Sequence, residues 1–282
     1  MFVMIQQDCR PVETAIQQLV LEDQLLALYS VQNARQLGGY RIGGKMVKRN
    51  RLLRSGALSR LTREEAEVLH DRFHLEHVYD FRSEAERQAA PDVLPEGTGY
   101  MGLGAPLADI KLPETMELKD VGSIVRYLLE NAGEPWLQEI CAQLYDKLLL
   151  DEAQQQVYRR FLEDLTGLPD DTGAVLWHCT QGKDRTGCAS ALLLAVLGAD
   201  RNLIVQDFSL SAMYYAPMVA RLPVRTVEQR NVVQTLISAN TRLFEASLDH
   251  VDRYYGSLDA YLEQCLGVTE AMKQRLRKRY LV

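Results

Sequence analysis

The sequence predicts an α/β fold, in which a central sheet with parallel strands has helices on both faces. The first observation is the apolar run Ala174–Trp177, whose shortness is typical of a strand buried inside a sheet. The second is the apolar stretch at 186–197, which ends at Gly198 as a helix packed on such a sheet would. The third is another strand, at 77–80, that is again followed by helical sequence.

The remaining elements of the N-terminal half follow from periodicity and turn residues. Apolar residues that recur every three or four positions predict helices, and glycine pairs between short apolar runs predict a hairpin. In chain order we expect a helix at about 12–29, a hairpin at 40–47 around Gly43-Gly44, a helix opened by the capping box Thr62 to Glu65, and a helix from Ser83 to near Pro91.

From residue 93 onward the sequence predicts a loop followed by helices. Proline and glycine are frequent at 93–115, which therefore reads as a loop. Helical periodicity returns at about 117–166, and we expect this stretch to be a helical insert in a single domain that spans residues 1–282. Residues 201–282 predict several helices, with breaks near Pro217, Pro223 and Gly256.

Composition excludes several classes of protein. Of the 282 residues, 47% are hydrophobic and 25% charged, which excludes wholesale disorder, and the net charge of −6 argues against non-specific binding of nucleic acid. No window of 18 apolar residues predicts a membrane span, and no classical secretion signal is visible at the start. Five widely spaced cysteines favour free thiols in a reducing compartment. We therefore expect a cytoplasmic protein, with export by another route left open and no oligomeric state predicted.

The chemistry concentrates in the segment His178–Gly187, between the buried strand and the apolar helix. Ligands of α/β sheets bind at the carboxyl ends of strands, where this segment lies. Cys179 and Arg185 bracket five residues, a loop short enough to curl so that its N–H groups form a nest for an anion. Arg185 could then grip a phosphate with two hydrogen bonds, and the same positive field would favour the thiolate form of Cys179. The alternative is a buried small residue next to a surface charge, but the strand, Gly182 and the helix on either side favour the functional interpretation.

This segment resembles the signature loop of the protein tyrosine phosphatase superfamily, and with Lys183-Asp184 inside it the chain looks like the atypical bacterial tyrosine and lipid phosphatases. Further blocks are similar to that family: Asn33-Ala34-Arg35-Gln36-Leu37-Gly38-Gly39, Arg54-Ser55-Gly56 with Leu58, Leu61 and Thr62, Tyr79-Asp80-Phe81-Arg82-Ser83 with Glu86, and Tyr261-Leu262 with Leu266-Gly267-Val268. Ala34 and Gln36 depart from the family, which usually has an aromatic residue and an acid there.

The resemblance implies a phosphatase fold and a two-step reaction through a cysteinyl-phosphate. Cys179 would be the nucleophile and Arg185 the cation that stabilises the equatorial oxygens. A carboxylic acid would protonate the leaving oxygen, and either Asp80 or Asp184 could be that acid. We favour Asp80 by a modest margin, although it could be a structural partner of Arg82. The residues expected to bind phosphate are Thr180, Gln181, Gly182, Lys183, Asp184, Arg185 and Thr186.

Two loop residues bear on substrate and turnover. Lys183 could add a second cation at the pocket mouth, which would suit a phosphoinositide as well as a phosphotyrosine protein; otherwise it is a solvated charge. Thr186 could donate a hydrogen bond to the sulfur of Cys179, or it could cap the helix. No cofactor and no metal are expected. The competing interpretations are a non-catalytic phosphate-binding pseudophosphatase and a sulfur transferase of the rhodanese type.

Overall fold

The computed structural model describes residues 19–105 and 121–282, with side chains from residue 125 onward in the second range. The strands are β1 (Arg35–Gln36), β2 (Arg41–Ile42), β3 (Lys45–Met46), β4 (Leu52–Ser55), β5 (Leu75–Asp80), β6 (Gly99–Gly102) and β7 (Ala174–His178). Five of them form the main sheet in the order β1-β4-β7-β5-β6, and β2 and β3 form a separate hairpin. Only β1 runs antiparallel to its neighbour in the main sheet, since β4, β7, β5 and β6 are parallel to one another. The predicted α/β class with parallel strands is confirmed.

Helices surround this sheet. They are α1 (Arg63–Glu67), α2 (Glu84–Ala89), α3 (Val121–Glu130), α4 (Pro135–Leu150), α5 (Glu152–Gly167), α6 (Asp184–Leu197), α7 (Arg201–Val219), α8 (Val227–Val232), α9 (Thr241–Tyr255), α10 (Leu258–Gln264) and α11 (Glu270–Tyr280). Single π-helical turns extend α1 through Val68–Arg72 and α8 through Val233–Ile237. Among the described residues, no helix combines the length and the apolar character needed to cross a membrane.

The central strand β7 explains why the core has two halves. All five of its residues are buried, and side chains of a strand alternate between the two faces. Val175 and Trp177 join the larger hydrophobic core with Cys179, whereas Ala174 and Leu176 join the smaller one. The nucleophile candidate therefore faces the larger core, and His178 lies in the alternating position.

Capping residues define the ends of several helices near this sheet. Thr62 and Glu65 form the predicted capping box at the start of α1, and Ser83 and Glu86 form a second one at the start of α2. Helix α6 ends at Gly198, whose φ of 98° is the left-handed conformation that glycine adopts most readily. The predicted hairpin is also present, as β2 and β3.

Three predictions of secondary structure are wrong within the described residues. The helix that precedes β1, described from residue 19, ends at residue 24 and not at about residue 29, because Leu25 forms a β-bridge with Arg35 at the sheet edge. Gly99–Gly102, expected in a loop, is strand β6, since it pairs with the exposed edge of β5 in a contact that its glycine-rich sequence does not signal. Pro217 lies inside α7, which continues to Val219.

The stretch expected to be a helical insert contains helices α3, α4 and α5, while residues 117–120 lie outside the described residues. Helices α3 and α4 share a separate apolar cluster with α8, to which Leu129, Cys141 and Val232 contribute. The single-domain organisation with an insert stays a prediction.

Candidate active site

The loop between β7 and α6 lies at the carboxyl edge of the parallel strands. His178, the last residue of β7, is paired with Ser55 at the end of β4 and with Asp80 at the end of β5. Cys179 follows directly and is only 3% exposed. The structure thus brings the predicted nucleophile and Asp80 to one edge of the sheet, as the sequence implied.

Three consecutive carbonyl groups of the loop are held by the surrounding protein. The carbonyls of Thr180, Gln181 and Gly182 all accept hydrogen bonds from outside the loop. Their donors, in that order, are the Ala57 amide at 3.1 Å, the Tyr215 hydroxyl at 2.7 Å, and the Asn33 amide at 2.8 Å together with the Arg54 guanidinium at 2.9 Å. A peptide group is planar and trans, so the N–H groups of residues 181–183 point the opposite way, toward the inside of the loop. Inward-pointing N–H groups are the donors that the predicted anion nest requires.

Gly182 makes the tight curl of this loop possible. Its φ is +66°, and a Cβ atom there would lie 2.4 Å from the carbonyl oxygen of Ser55 and 2.5 Å from the amide nitrogen of Gly56. Both the backbone conformation and the close approach to β4 therefore require glycine.

Arg185 is fixed by Glu86 of helix α2. Its two terminal nitrogens donate to the two carboxylate oxygens of Glu86 at 2.7 and 2.8 Å, and also to the Phe81 carbonyl and the Thr180 hydroxyl. Burial alone would raise the pKa of Glu86, but the Arg185 guanidinium outweighs this effect and lowers the pKa to about 2. Burial likewise opposes the charge of Arg185, yet Glu86 and the neighbouring Cys179 raise its pKa above its usual range. Arg185 is therefore a fixed cation beside Cys179.

Asp184 lies within the loop segment as the first residue of α6, and 20% of its side chain is exposed. One carboxylate oxygen accepts a hydrogen bond from the Tyr145 hydroxyl at 2.9 Å, and the other from the Lys183 ammonium at 2.6 Å. Lys183 also donates to the Thr235 carbonyl, and its side chain is almost completely buried. The structure thus turns the ammonium inward onto Asp184 and does not place it at the pocket mouth, where the sequence-based interpretation had it.

Asp80 occupies a different environment. Its side chain is fully buried, and its carboxylate accepts hydrogen bonds from the backbone and guanidinium of Arg82 and from the Tyr100 hydroxyl. Burial would raise the pKa of Asp80. Hydrogen bonds from Arg82 and the electrostatic interaction with the nearby His178 outweigh burial and lower this pKa. A carboxylate held ionised by so many donors is a poor proton donor, so the geometry reverses the modest preference for Asp80 and favours its alternative as a structural partner of Arg82.

The sequence as a whole matches a known family. A sequence model described as the tyrosine phosphatase family covers residues 26–282. The chain belongs to this family. It is a phosphatase of the protein tyrosine phosphatase type.

Individual relatives agree with this assignment. A Cupriavidus necator protein named "Putative tyrosine-protein phosphatase" is 28% identical over 267 residues, which are 91% of this phosphatase and 88% of the relative. The triple specificity protein phosphatase PtpB of Mycobacterium tuberculosis is 28% identical over 250 residues, 80% of this chain and 89% of PtpB. Among solved structures, the core catalytic domain of the PP-IP phosphatase SIW14 from S. cerevisiae aligns at a TM-score of 0.35 and 12% identity, over 78% of this chain and 95% of that one.

Two further residues of the segment His178–Gly187 are His178, which precedes Cys179, and Thr186, which lies on α6. His178 is fully buried, and its Nδ1 lies 3.3 Å from the carbonyl oxygen of Cys179, which supports a role in ordering the loop. The hydroxyl of Thr186 is also buried and has no hydrogen-bond partner among the described residues. Its predicted bond to the sulfur of Cys179 is therefore not made in this structure.

One group of side chains in the described part of the phosphatase has the composition of a metal site. Ligand atoms of Asp80, Asp92 and His178 lie within 4.8 Å of one another. The guanidinium of Arg82 already lies 2.7 Å from both carboxylates, in the place that a cation would take. These residues therefore form a buried ion network around an arginine and do not fit a metal ion.

The structure adds site residues that the sequence interpretation did not single out. Asn33, Arg54 and Glu86 hold the loop or Arg185, and all three lie in the blocks that resemble the family, so their positions in those blocks were an available signal. Tyr145 and Tyr215 contact Asp184 and the Gln181 carbonyl from distant helices, and no sequence pattern points to them.

Proposed function

We propose that this phosphatase hydrolyses phosphotyrosine esters through a cysteinyl-phosphate on Cys179. The observation that carries the proposal is the loop geometry, in which three carbonyls are held outward and the amides of residues 181–183 point inward beside Cys179 and Arg185. An array of fixed amides with one guanidinium matches the equatorial oxygens of a phosphoryl group in transfer.

The reaction has two steps. In the first, the sulfur of Cys179 attacks phosphorus, the bond between phosphorus and the tyrosine oxygen breaks, and an acid gives that oxygen a proton. In the second, a water attacks phosphorus, the sulfur–phosphorus bond breaks, and the same group, now a carboxylate, takes a proton from the water. Arg185 and the loop amides hold the equatorial oxygens in both steps.

Asp184 is the acid in this proposal. It lies at the N-terminus of α6, next to the nucleophile loop, and its side chain reaches solvent, whereas Asp80 is fully buried under Arg82. To give a proton to the leaving oxygen, the Asp184 carboxyl must be released from the Lys183 ammonium, which lies 2.6 Å away, so this contact must loosen when substrate binds.

Phosphoinositides are a second candidate substrate. The case for them rests on Lys183 as an additional cation for further phosphates, and on the name of the relative PtpB, which is called a triple specificity phosphatase. Because the ammonium of Lys183 is bound to Asp184 and buried, it must rotate outward to serve such a substrate. Phosphotyrosine carries a single phosphate and needs no second cation, and it is therefore the primary proposal.

The covalent mechanism is tested with the Cys179→Ser variant. We expect the wild type to hydrolyse p-nitrophenyl phosphate and phosphotyrosine peptides, and the variant to lose turnover at least a thousandfold while it still binds vanadate. A phosphate-binding pseudophosphatase would bind vanadate but show no turnover in the wild type. Residual activity of the variant within tenfold of the wild type would exclude Cys179 as the nucleophile.

The acid is tested with aryl phosphates of graded leaving-group basicity. A p-nitrophenolate leaves readily without a proton, whereas a basic phenolate does not, so loss of the acid should make kcat fall more steeply with leaving-group basicity. We expect the steeper dependence in Asp184→Asn. A steeper dependence in Asp80→Asn would return the acid role to Asp80.

A further inference from the structure

Two arginines and one aspartate form a buried cluster beneath the nucleophile loop. Arg35 of β1 and Arg54 of β4 are both completely buried, and the side chain of Asp207 on α7 is 2% exposed. Arg54 donates to Asp207 at 2.6 Å, and the Nε of Arg35 lies 3.6 Å from the same carboxylate. Arg35 and Arg54 belong to blocks that resemble the family, but the reaction itself assigns them no task.

The cluster is joined directly to the loop. The second terminal nitrogen of Arg54 donates to the Gly182 carbonyl at 2.9 Å. Arg35 reaches the same point indirectly, because it donates to Asn33, whose amide also donates to the Gly182 carbonyl. The carbonyl that both side chains hold is one of those that turn the loop amides inward.

The charges of this cluster do not balance. Among the residues that the structure describes, two guanidinium groups face a single carboxylate, and the other side-chain contact of Asp207 is the hydroxyl of Tyr40, which is neutral because burial raises its pKa. Burial and the neighbouring Arg35 lower the pKa of Arg54 to about 10, so it remains protonated at neutral pH. A surplus of one positive charge is thus buried under the loop, where desolvation makes an unpaired charge costly.

The other ionisable groups around Cys179 in the described part of the chain do not compensate this surplus charge. Arg185 is matched by Glu86, and Lys183 by Asp184. The carboxylates Asp80 and Asp92 share Arg82 with His178, whose side chain alternates with that of Cys179 on β7. The ionisable groups that interact electrostatically with Cys179 include Arg54, Tyr158, Arg185, Cys188 and Tyr215. Buried tyrosines and the buried Cys188 are neutral, because burial raises the pKa of each.

We propose that Arg54 is a positioning residue that acts on Cys179 by charge: the surplus positive charge of the Arg35–Arg54–Asp207 cluster stabilises the thiolate. The thiolate, with its single negative charge, is the anion that completes the charge balance. The inference deepens the proposed function, since it concerns the nucleophile of that reaction, but its test does not depend on turnover.

The test compares variants that change the charge of the cluster in different ways. Arg54→Gln removes the surplus, and Arg54→Lys retains it. Asp207→Asn increases the surplus, and the double variant Arg54→Gln with Asp207→Asn restores a surplus of one. The readout is the pH midpoint of alkylation at Cys179 by iodoacetamide, followed by mass spectrometry of the Cys179 peptide. Arg279→Gln is the matched control, because Arg279 is a buried arginine whose contacts are with Leu165, Leu168 and Asp170 instead of the loop.

We expect the midpoint to rise by about one pH unit in Arg54→Gln, as for the loss of a nearby opposite charge, and to stay near the wild-type value in Arg54→Lys and Arg279→Gln. In the double variant the midpoint should lie within about a third of a pH unit of the wild-type value, because the net charge of the cluster is restored although Arg54 is absent. An unshifted Arg54→Gln, or a double variant shifted as far as Arg54→Gln, would overturn the electrostatic role. If Arg54→Gln fails to fold, Asp207→Asn still tests the proposal. The proposal requires the midpoint of Cys179 alkylation to fall in this variant, and a rise would overturn it. Failure of Cys179 as a catalytic nucleophile would appear in turnover and leave these midpoints unchanged.

Discussion

The pair between Glu86 and Arg185 gives a prediction in which stability and catalysis can be measured on one variant. Glu86→Gln removes the carboxylate that fixes Arg185 but keeps an oxygen that can complete the capping box of α2. The variant therefore changes the charge of the pair with little change in the helix cap. Glu84→Gln is the matched control, because Glu84 lies in the same turn of α2 and pairs with Arg87 away from the loop.

The magnitude follows from the pKa of Glu86, which the pair lowers from 4.5 to about 2. At about 1.36 kcal/mol per pH unit this difference is worth roughly 3 kcal/mol. Since 35% of the Glu86 side chain is exposed, solvent screening reduces the expected loss of unfolding free energy to about 1–2 kcal/mol. A carboxylate with a depressed pKa in the folded state stabilises the protein above its unfolded pKa, and that stability disappears as the pH falls toward the folded pKa. The difference between wild type and variant should thus be constant above about pH 5 and shrink between pH 4.5 and pH 2.

Urea unfolding over this pH range measures the stability difference, and kcat/KM for a phosphotyrosine peptide measures the effect on the site. We expect kcat/KM to fall at least tenfold in Glu86→Gln and to stay within about twofold in Glu84→Gln, because a misplaced guanidinium holds the phosphoryl group less well. A stability difference that persists unchanged at pH 2–3, or activities equal in the two variants, would refute the role assigned to Glu86.

Three other variants test the loop. Gly182→Ala should lower kcat/KM about a hundredfold, because its Cβ would lie 2.4 Å from the Ser55 backbone. Gly267→Ala is the control: Gly267 has the same φ of +66° with open space around it, so this variant should lose only about 1 kcal/mol of stability. Equal activities of the two variants would contradict the packing argument. Arg185→Lys should lose at least a hundredfold in kcat/KM despite its retained charge, since a lysine cannot donate two parallel hydrogen bonds to the phosphate. Near-normal kinetics would show that two-point binding of the phosphate is unnecessary. Lys183→Ala should slow phosphotyrosine and phosphoinositide hydrolysis to a similar extent, because the ammonium is bound to the loop's own carboxylate; a loss confined to phosphoinositides in a parallel assay would show that it turns outward to the substrate.

Local sequence determined the elements that carry the candidate site. The apolar run that forms β7, the apolar helix α6 that ends at Gly198, the capping box of α1 and the start of α2 near Ser83 were all predicted, because each depends on residues a few positions apart. The spacing of Cys179 and Arg185 around a glycine likewise limits the loop to a tight curl. Strand β6 could not be predicted in the same way, since Gly99–Gly102 becomes a strand only through its pairing with the edge of β5.

Tertiary structure decided how the charged residues are paired, and with it the roles they can have. By sequence, Asp80 and Asp184 were nearly equal candidates for the acid, and the fold separates them because Arg82 and Tyr100 enclose one carboxylate while the other is partly exposed. Lys183 was expected either at the pocket mouth or in solvent, yet its ammonium is buried and donates to Asp184 and to the Thr235 carbonyl. The sequence by itself thus determined which short segment carries the chemistry, because helix, strand and turn signals are local. The pairing of each charge was left to the fold, since burial and the distance between residues far apart in the chain set its energy.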